Sequence, residues 1–505
     1  MNKYICIHGH FYQPPRENPW TEEYEKEDSA APFHNWNERI FQECYKPNTE
    51  AVIVDNTGKV LRRVNNYEYL SFNFGPTLLD WIKKKHPDTL QKIIEADRAS
   101  VKAHRGHGNA IAQVYNHIIM PLANKRDKIT QVKWGLKDFE YHYGRKPEGM
   151  WLAETACNNA TLDVLIDEGI KFVILDPSQA SQIRKTGSTV REDVSGGRID
   201  TKIPYRYFSK TGTGFIDIFF YDGGLSKGLA FDDVVYDSVR LMERIEGAFP
   251  PDYGKDGIVS LAVDGETFGH HKHFTERTIA YLLSEYAESR GYKVVNFAEY
   301  LSKHEPEYEV LLNEGPAGEG TSWSCVHGVG RWKEDCGCNT GGLPGWNQKW
   351  RKHLRDALNL LNGKLGLFYE IEAKKYLNSV WDARNDYIDI ILNPNDEGVT
   401  DAFFKKHSRM KLDSSERLLM FYLLEMQKYS MLTFTSCGWF FSDIGGLESK
   451  KILEYAKRAV EIAEEISGLD FDEEFMEILS FAKSNKPEYG TGKDIYLKLG
   501  SKTDG

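Results

Sequence analysis

The amino-acid sequence predicts an α/β barrel followed by an all-α domain, and two observations carry this prediction. Up to about residue 305, short β-rich runs alternate with amphipathic helical segments, which is typical of parallel strands joined by helices. Beyond residue 345, the apolar residues recur with helical spacing instead. Because seven or eight strand–helix repeats fit into the first region, we expect its sheet to close on itself.

Eight short runs, rich in apolar and β-branched residues, are the predicted strands. They are residues 3–8, 69–74, 100–104, 149–153, 171–175, 215–221, 258–263 and 293–296. Between them, residues 76–96 are predicted to form a helix with Pro76 in its first turn. Residues 274–290 are predicted to form another helix, which ends before Gly291.

These changes in pattern divide the chain of 505 residues into four segments. Residues 1–305 are the predicted barrel, residues 306–345 a Cys- and Gly-rich connecting loop, residues 346–485 the helical domain and residues 486–505 a polar tail. In the third segment, Leu354, Leu358 and Leu361 fall on one face of a helix.

Composition argues against several kinds of partner. The chain has 64 basic and 75 acidic residues, a net charge of −11, and no long basic run, so we expect neither nucleic acid nor an anionic membrane as partner. Seven cysteines, an odd number, and an N-terminal apolar run too short for a signal peptide predict reduced thiols and a cytoplasmic location. Aromatic residues make up 13% of the chain, enough for a core and for flat surfaces that suit sugar rings.

Polar residues collect after four of the predicted strands. The segments are residues 8–16, 104–109, 151–154 and 264–271. In a parallel barrel, the residues that follow the carboxyl ends of the strands face one mouth, and active sites lie there. The sequence therefore predicts a site built from these four segments.

Two carboxylates in these segments, Glu154 and Asp264, are the residue types that glycosidic bond cleavage needs. One carboxylate attacks or stabilises the anomeric carbon, and the other protonates the leaving oxygen. A single carboxylate after a strand is more often a helix cap or an ion-pair partner, so it is the pair that favours catalysis. Glu266 competes with Asp264 for the acid role, because residues two apart on an extended segment share a face.

The order of the four segments resembles glycoside hydrolase family 57, a family of α-amylases, 4-α-glucanotransferases and branching enzymes. The first family motif is matched by His10, Gln13 and Pro14 with Phe11 and Tyr12 inserted, the second loosely by Gly106 to Asn109, the third by Trp151 to Glu154 with Ala153 in place of Pro, and the fourth by Asp264, Glu266, Phe268 and Gly269. The resemblance covers about residues 1 to 300.

This resemblance implies a distorted (β/α)7 TIM-like barrel and a retaining, double-displacement reaction on an α-linked glucan or a related oligosaccharide, without a cofactor. Glu154 would be the nucleophile and Asp264 the general acid/base, with their carboxyl groups about 5–5.5 Å apart. The residues predicted to bind the sugar are His10, Gln13, His104, Asn109, Trp151, Glu266, His271 and Trp323. Hydrolysis and transfer to an acceptor sugar both stay open.

Beyond the barrel, residues 322–332 and 436–441 are similar to a subgroup of that family with a helical C-terminal domain of uncharacterised function. The usual label of this subgroup, α-amylase or α-mannosidase, leaves the sugar and the linkage open.

Cys325, His327, Cys336 and Cys338 are potential metal ligands that lie within fourteen residues. Their Cys-x-His and Cys-x-Cys spacing is tighter than that of a standard zinc finger. We therefore predict a reduced loop without metal and name these four residues as the candidates if a metal binds.

Two other classes of protein stay open from the sequence. His8, His10, Asp264, His270 and His271 would suit the His/Asp metal site of a polysaccharide deacetylase or a metal-dependent α-mannosidase, in which the metal and not Glu154 is essential. The second alternative is a non-catalytic glycan-binding protein, because a fold does not fix a function.

Overall fold

The computed structural model of the protein describes residues 2–500 and separates into two compact units. The first unit comprises the residues up to Gln13, then Lys26–Gln113 and His142–Glu314, and the second comprises Pro14–Glu25, Val114–Tyr141 and the residues from Gly315 on. This division differs from the contiguous one that we predicted. Two excursions within residues 1–305 pack with the second unit, and residues 306–314 belong to the first.

The regular elements are numbered in chain order. The strands are β1 (Lys3–Phe11), β2 (Ala51–Val54), β3 (Val60–Val64), β4 (Ser71–Phe74), β5 (Ala112–Gln113), β6 (Met150–Trp151), β7 (Phe172–Leu175), β8 (Ala180–Lys185), β9 (Glu192–Asp193), β10 (Tyr205–Phe208), β11 (Phe215–Phe220), β12 (Gly257–Asp264), β13 (Tyr292–Val294) and β14 (Tyr308–Leu312). The helices are α1 (Trp36–Ile40), α2 (Lys46–Asn48), α3 (Pro76–Lys85), α4 (Pro87–Ala103), α5 (Lys125–Tyr143), α6 (Asn159–Asp167), α7 (Gly223–Phe231), α8 (Ser238–Gly247), α9 (Thr275–Tyr281), α10 (Ala287–Ser289), α11 (Phe297–Lys303), α12 (Trp350–Ala373), α13 (Val380–Asp386), α14 (Ile388–Leu392), α15 (Glu397–His407), α16 (Ser414–Leu432), α17 (Cys437–Phe440), α18 (Leu447–Ser467), α19 (Glu473–Leu479) and α20 (Gly492–Leu497).

Seven parallel strands of the first unit form a ring in the order β12, β1, β4, β5, β6, β7 and β11. Ladders join β12 to β1, β1 to β4, β5 to β6 and β7 to β11. Single parallel bridges, Phe72 with Ala110 and Gly149 with Phe172, connect the ladders. The amide of Asp222, just after β11, donates to the carbonyl of Ser260 in β12 at 2.7 Å and closes the ring. The predicted distorted (β/α)7 TIM-like barrel is confirmed.

The distortion of the barrel has two visible sources. One edge of β1 is shared by two strands, since Lys3 to Ile5 pair with β13 and His8 to Phe11 pair with β4. In addition, β5 and β6 are only two residues long. Both faces of β1 are packed, because every residue from Tyr4 to Phe11 is buried, as is typical of a strand inside a parallel barrel.

Seven of the eight predicted strands are present, and residues 100–104 are the exception. The residues up to Ala103 form the last turn of α4, and the strand that follows is β5. The helix predicted over residues 76–96 is divided into α3 and α4 at His86, because Pro87 lacks an amide hydrogen and disfavours a helical residue before it.

The regular elements of the second unit within residues 2–500 are all helical, which confirms the predicted all-α domain. Helices α12, α16 and α18 pack together at its core. Leu354, Leu358 and Leu361 are buried along α12, as their spacing predicts. Part of the predicted polar tail is structured, since Thr491 caps α20, and residues 501–505 lie outside the described residues. No helix between residues 2 and 500 is both long and apolar enough to cross a membrane.

Candidate active site

The carboxyl ends of the parallel strands meet at one edge of the barrel, which we call the carboxyl rim. His10 of β1 pairs with Asp264 of β12 on one side and with Asn73 of β4 on the other. Nδ2 of Asn73 donates to Oε1 of Gln113 in β5 at 2.8 Å, and Gln113 pairs with Trp151 of β6. Five adjacent strands therefore bring these residues to one level of the rim.

A buried polar layer lies beside Asp264. Oδ1 of Asn73 is 3.0 Å from Nε2 of His8, and Nδ2 of Asn73 is 2.9 Å from Nδ1 of His10. The indole of Trp151 stacks on both imidazoles, at centroid distances of 4.8 Å and 4.9 Å. Because burial lowers the pKa of His8 to about 3, this ring is neutral. Trp151 is 0% exposed, so it supports the two histidines and has no face free to stack on a sugar ring, contrary to our prediction.

Glu154 follows β6 on a strained turn. Glu154 has φ +58° and Thr155 has φ +50°, both in the left-handed region that residues with a Cβ rarely adopt. The buried amide of Gln179 braces this turn, because its Oε1 accepts from the Thr155 hydroxyl and its Nε2 donates to the Thr155 carbonyl, each at 2.9 Å. Strain held in place by the surrounding structure is typical of functional sites.

Asp264 is the last residue of β12, and its electrostatic environment is unusual. Its side chain is exposed to solvent, yet the protein packed around it desolvates the carboxyl group. This desolvation, together with the negative charge of Glu154, raises the pKa of Asp264 to about 7. Glu154 and Asp264 are therefore close enough to interact electrostatically, and Asp264 holds a proton in a large fraction of molecules at neutral pH and in most molecules below it.

Glu266 lies two residues beyond Asp264 but in a different environment. It is buried, and its Oε1 accepts from the Tyr45 hydroxyl at 2.6 Å and from the Tyr12 amide at 3.1 Å. Desolvation raises the pKa of Glu266 to about 8. The turn between the two acids requires glycine, because a Cβ on Gly265 would lie 2.3 Å from the ring of Phe11. The structure thus separates the two acids that the sequence could not distinguish, and it leaves only Asp264 open to solvent.

Two other predicted sugar ligands lie in the loops of the carboxyl rim. Gln13 is buried, and its Nε2 donates to the carbonyl of Tyr12 at 2.9 Å. His271 reaches solvent, and its amide donates to the carbonyl of Glu266 at 2.8 Å. Desolvation by the surrounding protein and the charge of the adjacent His270 lower the pKa of His271 to about 4, so its ring is neutral.

His104 and Asn109 do not join this group. His104 follows α4, and its Nδ1 lies 2.7 Å from Oε2 of Glu299. Asn109 precedes β5, and its Nδ2 donates to the carbonyl of Tyr67 at 3.2 Å. Both residues come before a barrel strand and therefore lie toward its amino end, which corrects the prediction built on residues 100–104 as a strand. Trp323 belongs to the second unit.

Sequence reasoning missed several residues of the carboxyl rim. Two of them are Asn73 and Gln113, whose side chains are hydrogen-bonded to each other. Tyr221 directly follows β11, and its hydroxyl donates to Oδ2 of Asp176 at 2.6 Å. Desolvation, the charge and hydrogen bond of Asp176 and, to a smaller extent, the charge of Asp264 raise the pKa of Tyr221. Asp176 had a signal that could have found it, because it directly follows the predicted strand 171–175.

The alternative His/Asp metal site is not formed. Within residues 2–500, the groups whose ligand atoms lie close enough to share one ion are Cys325, His327, Cys336 and Cys338, and Glu464, Asp470 and Asp472. The rings of His8 and His10 bond to Asn73, and that of His270 bonds to Glu43. The geometry therefore contradicts this alternative.

The closed ring of strands and the two coupled carboxylates define a (β/α)7-barrel protein with the paired-acid arrangement that suits glycosidic bonds. The glycosyl hydrolase family 57 profile matches residues 4–313, and the chain belongs to this family, as the sequence motifs predicted. Residues 346–502 match a domain of unknown function, DUF3536.

Individual relatives are distant. The chain is 22% identical over 260 residues to the 4-α-glucanotransferase of Thermococcus litoralis, a match covering 50% of this chain and 36% of that protein. It is 21% identical over 292 residues to the α-amylase of Pyrococcus furiosus, covering 57% of this chain and 39% of that protein. The chain thus spans well under half the length of these curated relatives.

Solved structures share the fold over most of the chain. An exo-type maltose-forming amylase from Pyrococcus sp. ST04 has a TM-score of 0.70 at 16% identity, covering 95% of this chain and 82% of that chain. A GH57-type branching enzyme from Pyrococcus horikoshii has a TM-score of 0.54 at 15% identity, covering 98% and 97%. At these identities the likeness shows the fold.

Proposed function

We propose that the protein is a retaining enzyme that hydrolyses or transfers α-linked glucan. Glu154 attacks the anomeric carbon while Asp264 gives its proton to the glycosidic oxygen, so the C–O bond breaks and a glycosyl-enzyme ester forms. Asp264, now a carboxylate, then removes a proton from water or from an acceptor hydroxyl. That oxygen attacks the anomeric carbon and releases Glu154.

The raised pKa of Asp264 next to Glu154 is the observation that carries this proposal. A general acid must hold its proton near the working pH, and a pKa of about 7 meets this need. Glu154 and Asp264 together must hold one proton, because the nucleophile acts as a carboxylate and the general acid must be protonated. The neighbouring charge of Glu154 helps to keep that proton on Asp264.

The substrate class rests on the relatives. Their names are α-amylase, 4-α-glucanotransferase, maltose-forming amylase and branching enzyme, which supports an α-glucan as substrate. His10, level with Asp264, and the solvent-reaching His271 are the proposed partners of sugar hydroxyls. Trp323 remains a predicted stacking residue. None of the seven cysteines, all of which lie within residues 2–500, forms a disulfide, which supports a reducing compartment such as the cytoplasm.

Product analysis on α-glucans and α-mannans of defined linkage tests the proposal, with Glu154→Gln as the control. Proton NMR during the first turnovers should show products that keep the α configuration. Products with the opposite configuration would overturn the retaining mechanism, and turnover of mannans alone would overturn the substrate class. Glycan binding without turnover on any substrate would favour the non-catalytic alternative.

The lengths of the product chains, compared with that of the substrate, distinguish hydrolysis from transfer. Incubation with a single maltooligosaccharide should give only shorter chains if water is the acceptor, and both longer and shorter chains if a sugar is the acceptor.

A further inference from the structure

Four potential metal ligands of the second unit converge on one point. Sγ of Cys325 lies 3.8 Å from Sγ of Cys336 and 3.8 Å from Sγ of Cys338. Sγ of Cys338 lies 3.6 Å from Nδ1 of His327. All four ligand atoms lie within 4.8 Å of one another. We call these residues the Cys3His cluster.

The separations of Cys325 from Cys336 and Cys338, and of Cys338 from His327, are those of a tetrahedral zinc site. With Zn–S bonds of about 2.3 Å and Zn–N bonds of about 2.0–2.1 Å, tetrahedral ligands lie about 3.8 Å apart for two sulfurs and about 3.6 Å apart for sulfur and nitrogen. We propose that the Cys3His cluster binds one zinc ion through three thiolates and one imidazole. This reverses the expectation of a metal-free loop that the spacing of the four residues gave.

Two other uses of the cysteines fit the distances less well. A disulfide needs sulfurs about 2.05 Å apart, far closer than the 3.8 Å found for either pair. An iron–sulfur cluster places several iron and sulfide ions between its cysteines. Ligand atoms that all lie within 4.8 Å of one another leave room for one ion.

The backbone around the Cys3His cluster is held in place by hydrogen bonds. Nη1 of Arg351, at the start of α12, donates to the carbonyl of Cys338 at 2.6 Å. Nη2 of Arg331 donates to the carbonyl of Asn339 at 3.1 Å. Gly330 packs closely on the cluster, since a Cβ there would lie 3.0 Å from Cβ of Cys336. Residues outside the Cys3His cluster therefore help to hold the backbone that carries its four side chains.

Charge gives an independent argument for a bound metal. Arg331 and Arg351 are both buried, and both contact Phe440, the first across its ring at 4.3 Å and the second through its carbonyl at 3.3 Å. No carboxylate within residues 2–500 forms an ion pair with either guanidinium. Zn²⁺ with three thiolates and a neutral imidazole carries one net negative charge, which would offset these two buried cations.

The ligand set indicates a structural role for the zinc. Four protein ligands leave no open position for water or substrate, as in structural rather than catalytic sites. The ion would join the two ends of the loop 325–338 and, through Arg351, would fix this loop on α12. The cluster is near the surface, because His327 is exposed and Cys336 and Cys338 are half-buried, so the ion can enter.

Metal analysis of the untagged full chain tests the proposal. Mass spectrometry should find about one zinc per chain in the wild type, and Cys338→Ser and His327→Ala should lose most of it. The matched control is Cys437→Ser, which changes a half-buried cysteine of the same unit outside the cluster, and this variant should keep its zinc. Zinc that stays bound in both cluster variants would overturn the assignment, as would a wild type that takes up no zinc when dialysed against it.

A second measurement does not depend on variants that fold. Treating the wild type with a chelator should make three further thiols reactive toward a thiol reagent, and added Zn²⁺ should protect them again and raise the Tm. Cobalt in place of zinc should give the intense visible bands of tetrahedral thiolate coordination. Thiols that react at the same rate with and without Zn²⁺ would contradict the proposal.

Discussion

The two acids of the carboxyl rim are delivered by regions of opposite character. Asp264 ends β12, an eight-residue strand paired along its whole length with β1. Glu154 follows β6, a two-residue strand, and sits on a left-handed turn held by Gln179. Regular backbone hydrogen bonding thus positions the proposed acid, whereas a side chain from another loop positions the proposed nucleophile. Substitutions around each acid should reveal this difference.

The largest effect is expected for Glu154→Gln. An amide cannot form the glycosyl-enzyme ester, so kcat/KM on a maltooligosaccharide should fall by about 10⁴–10⁶-fold, the range seen when a covalent nucleophile is removed. The measurement is the release of reducing ends, with circular dichroism to show that the variant is folded. More than a tenth of the wild-type rate in a folded variant would exclude Glu154 as nucleophile.

Asp264→Asn should have a smaller effect that depends on the leaving group. On a maltooligosaccharide, loss of the proton donor should lower kcat/KM by about 10²–10⁴-fold. With a 4-nitrophenyl α-glycoside, formation of the glycosyl-enzyme needs no protonation, so a rapid burst of 4-nitrophenol should remain. An equal loss of the first step on both substrates would contradict the acid role.

The lengths of the strands explain why the sequence predicted one of these regions better than the other. The apolar run before Asp264 identifies β12 directly, and six of the seven strands of the ring, β12 among them, are predicted by such runs. The strand β5 has only two residues, too few for a recognisable pattern, so Gln113 was missed. The run at residues 100–104 fits a helix or a strand equally well. Because it was predicted to be a strand, His104 and Asn109 were predicted at the carboxyl end of the barrel and not at its amino end.

The two acids at the end of β12 illustrate the same limit for the site. Asp264 and Glu266 are indistinguishable by spacing, and only the contacts of Glu266 with Tyr12 and Tyr45 separate them. In the second unit, the four residues of the Cys3His cluster were visible in the sequence, but the convergence of their side chains to within 4.8 Å of one another depends on how the loop folds. The sequence therefore predicts which residues matter better than it predicts their surroundings.

Gln179→Ala tests the bracing of the nucleophile and should have an intermediate effect. Without the amide, the strained turn at Thr155 can relax and displace Glu154, so kcat should fall by about 10–100-fold. The lost hydrogen bonds should lower the free energy of unfolding by about 1–3 kcal/mol. Gln182→Ala, an exposed glutamine on the neighbouring strand β8, is the matched control. Equal kcat values for the two variants would show that the brace is dispensable.

The smallest effect is expected for Glu266→Gln, and it appears as a change in pH dependence. The folded-state pKa of Glu266 is raised to about 8, above its unfolded value, so its contribution to stability is present at acidic pH and is lost as the pH rises toward 8. The glutamine variant keeps an oxygen for Tyr12 and Tyr45 but does not ionise. Its Tm should therefore fall less than that of the wild type between pH 5 and pH 9. Parallel Tm curves would contradict the raised pKa.

The pairing of β1 with β12 also affects the order in which the protein can fold. Lys3 pairs with Gly257, which lies 254 residues later in the chain. At about 5–20 residues per second, a ribosome needs roughly 10–50 s to make the intervening chain. During that time β1, whose residues from Tyr4 to Phe11 are all buried in the finished barrel, lacks its main partner. Strand β12, which closes the ring, also carries Asp264. A nascent chain therefore acquires its proposed general acid only when the strand that completes the barrel has been made.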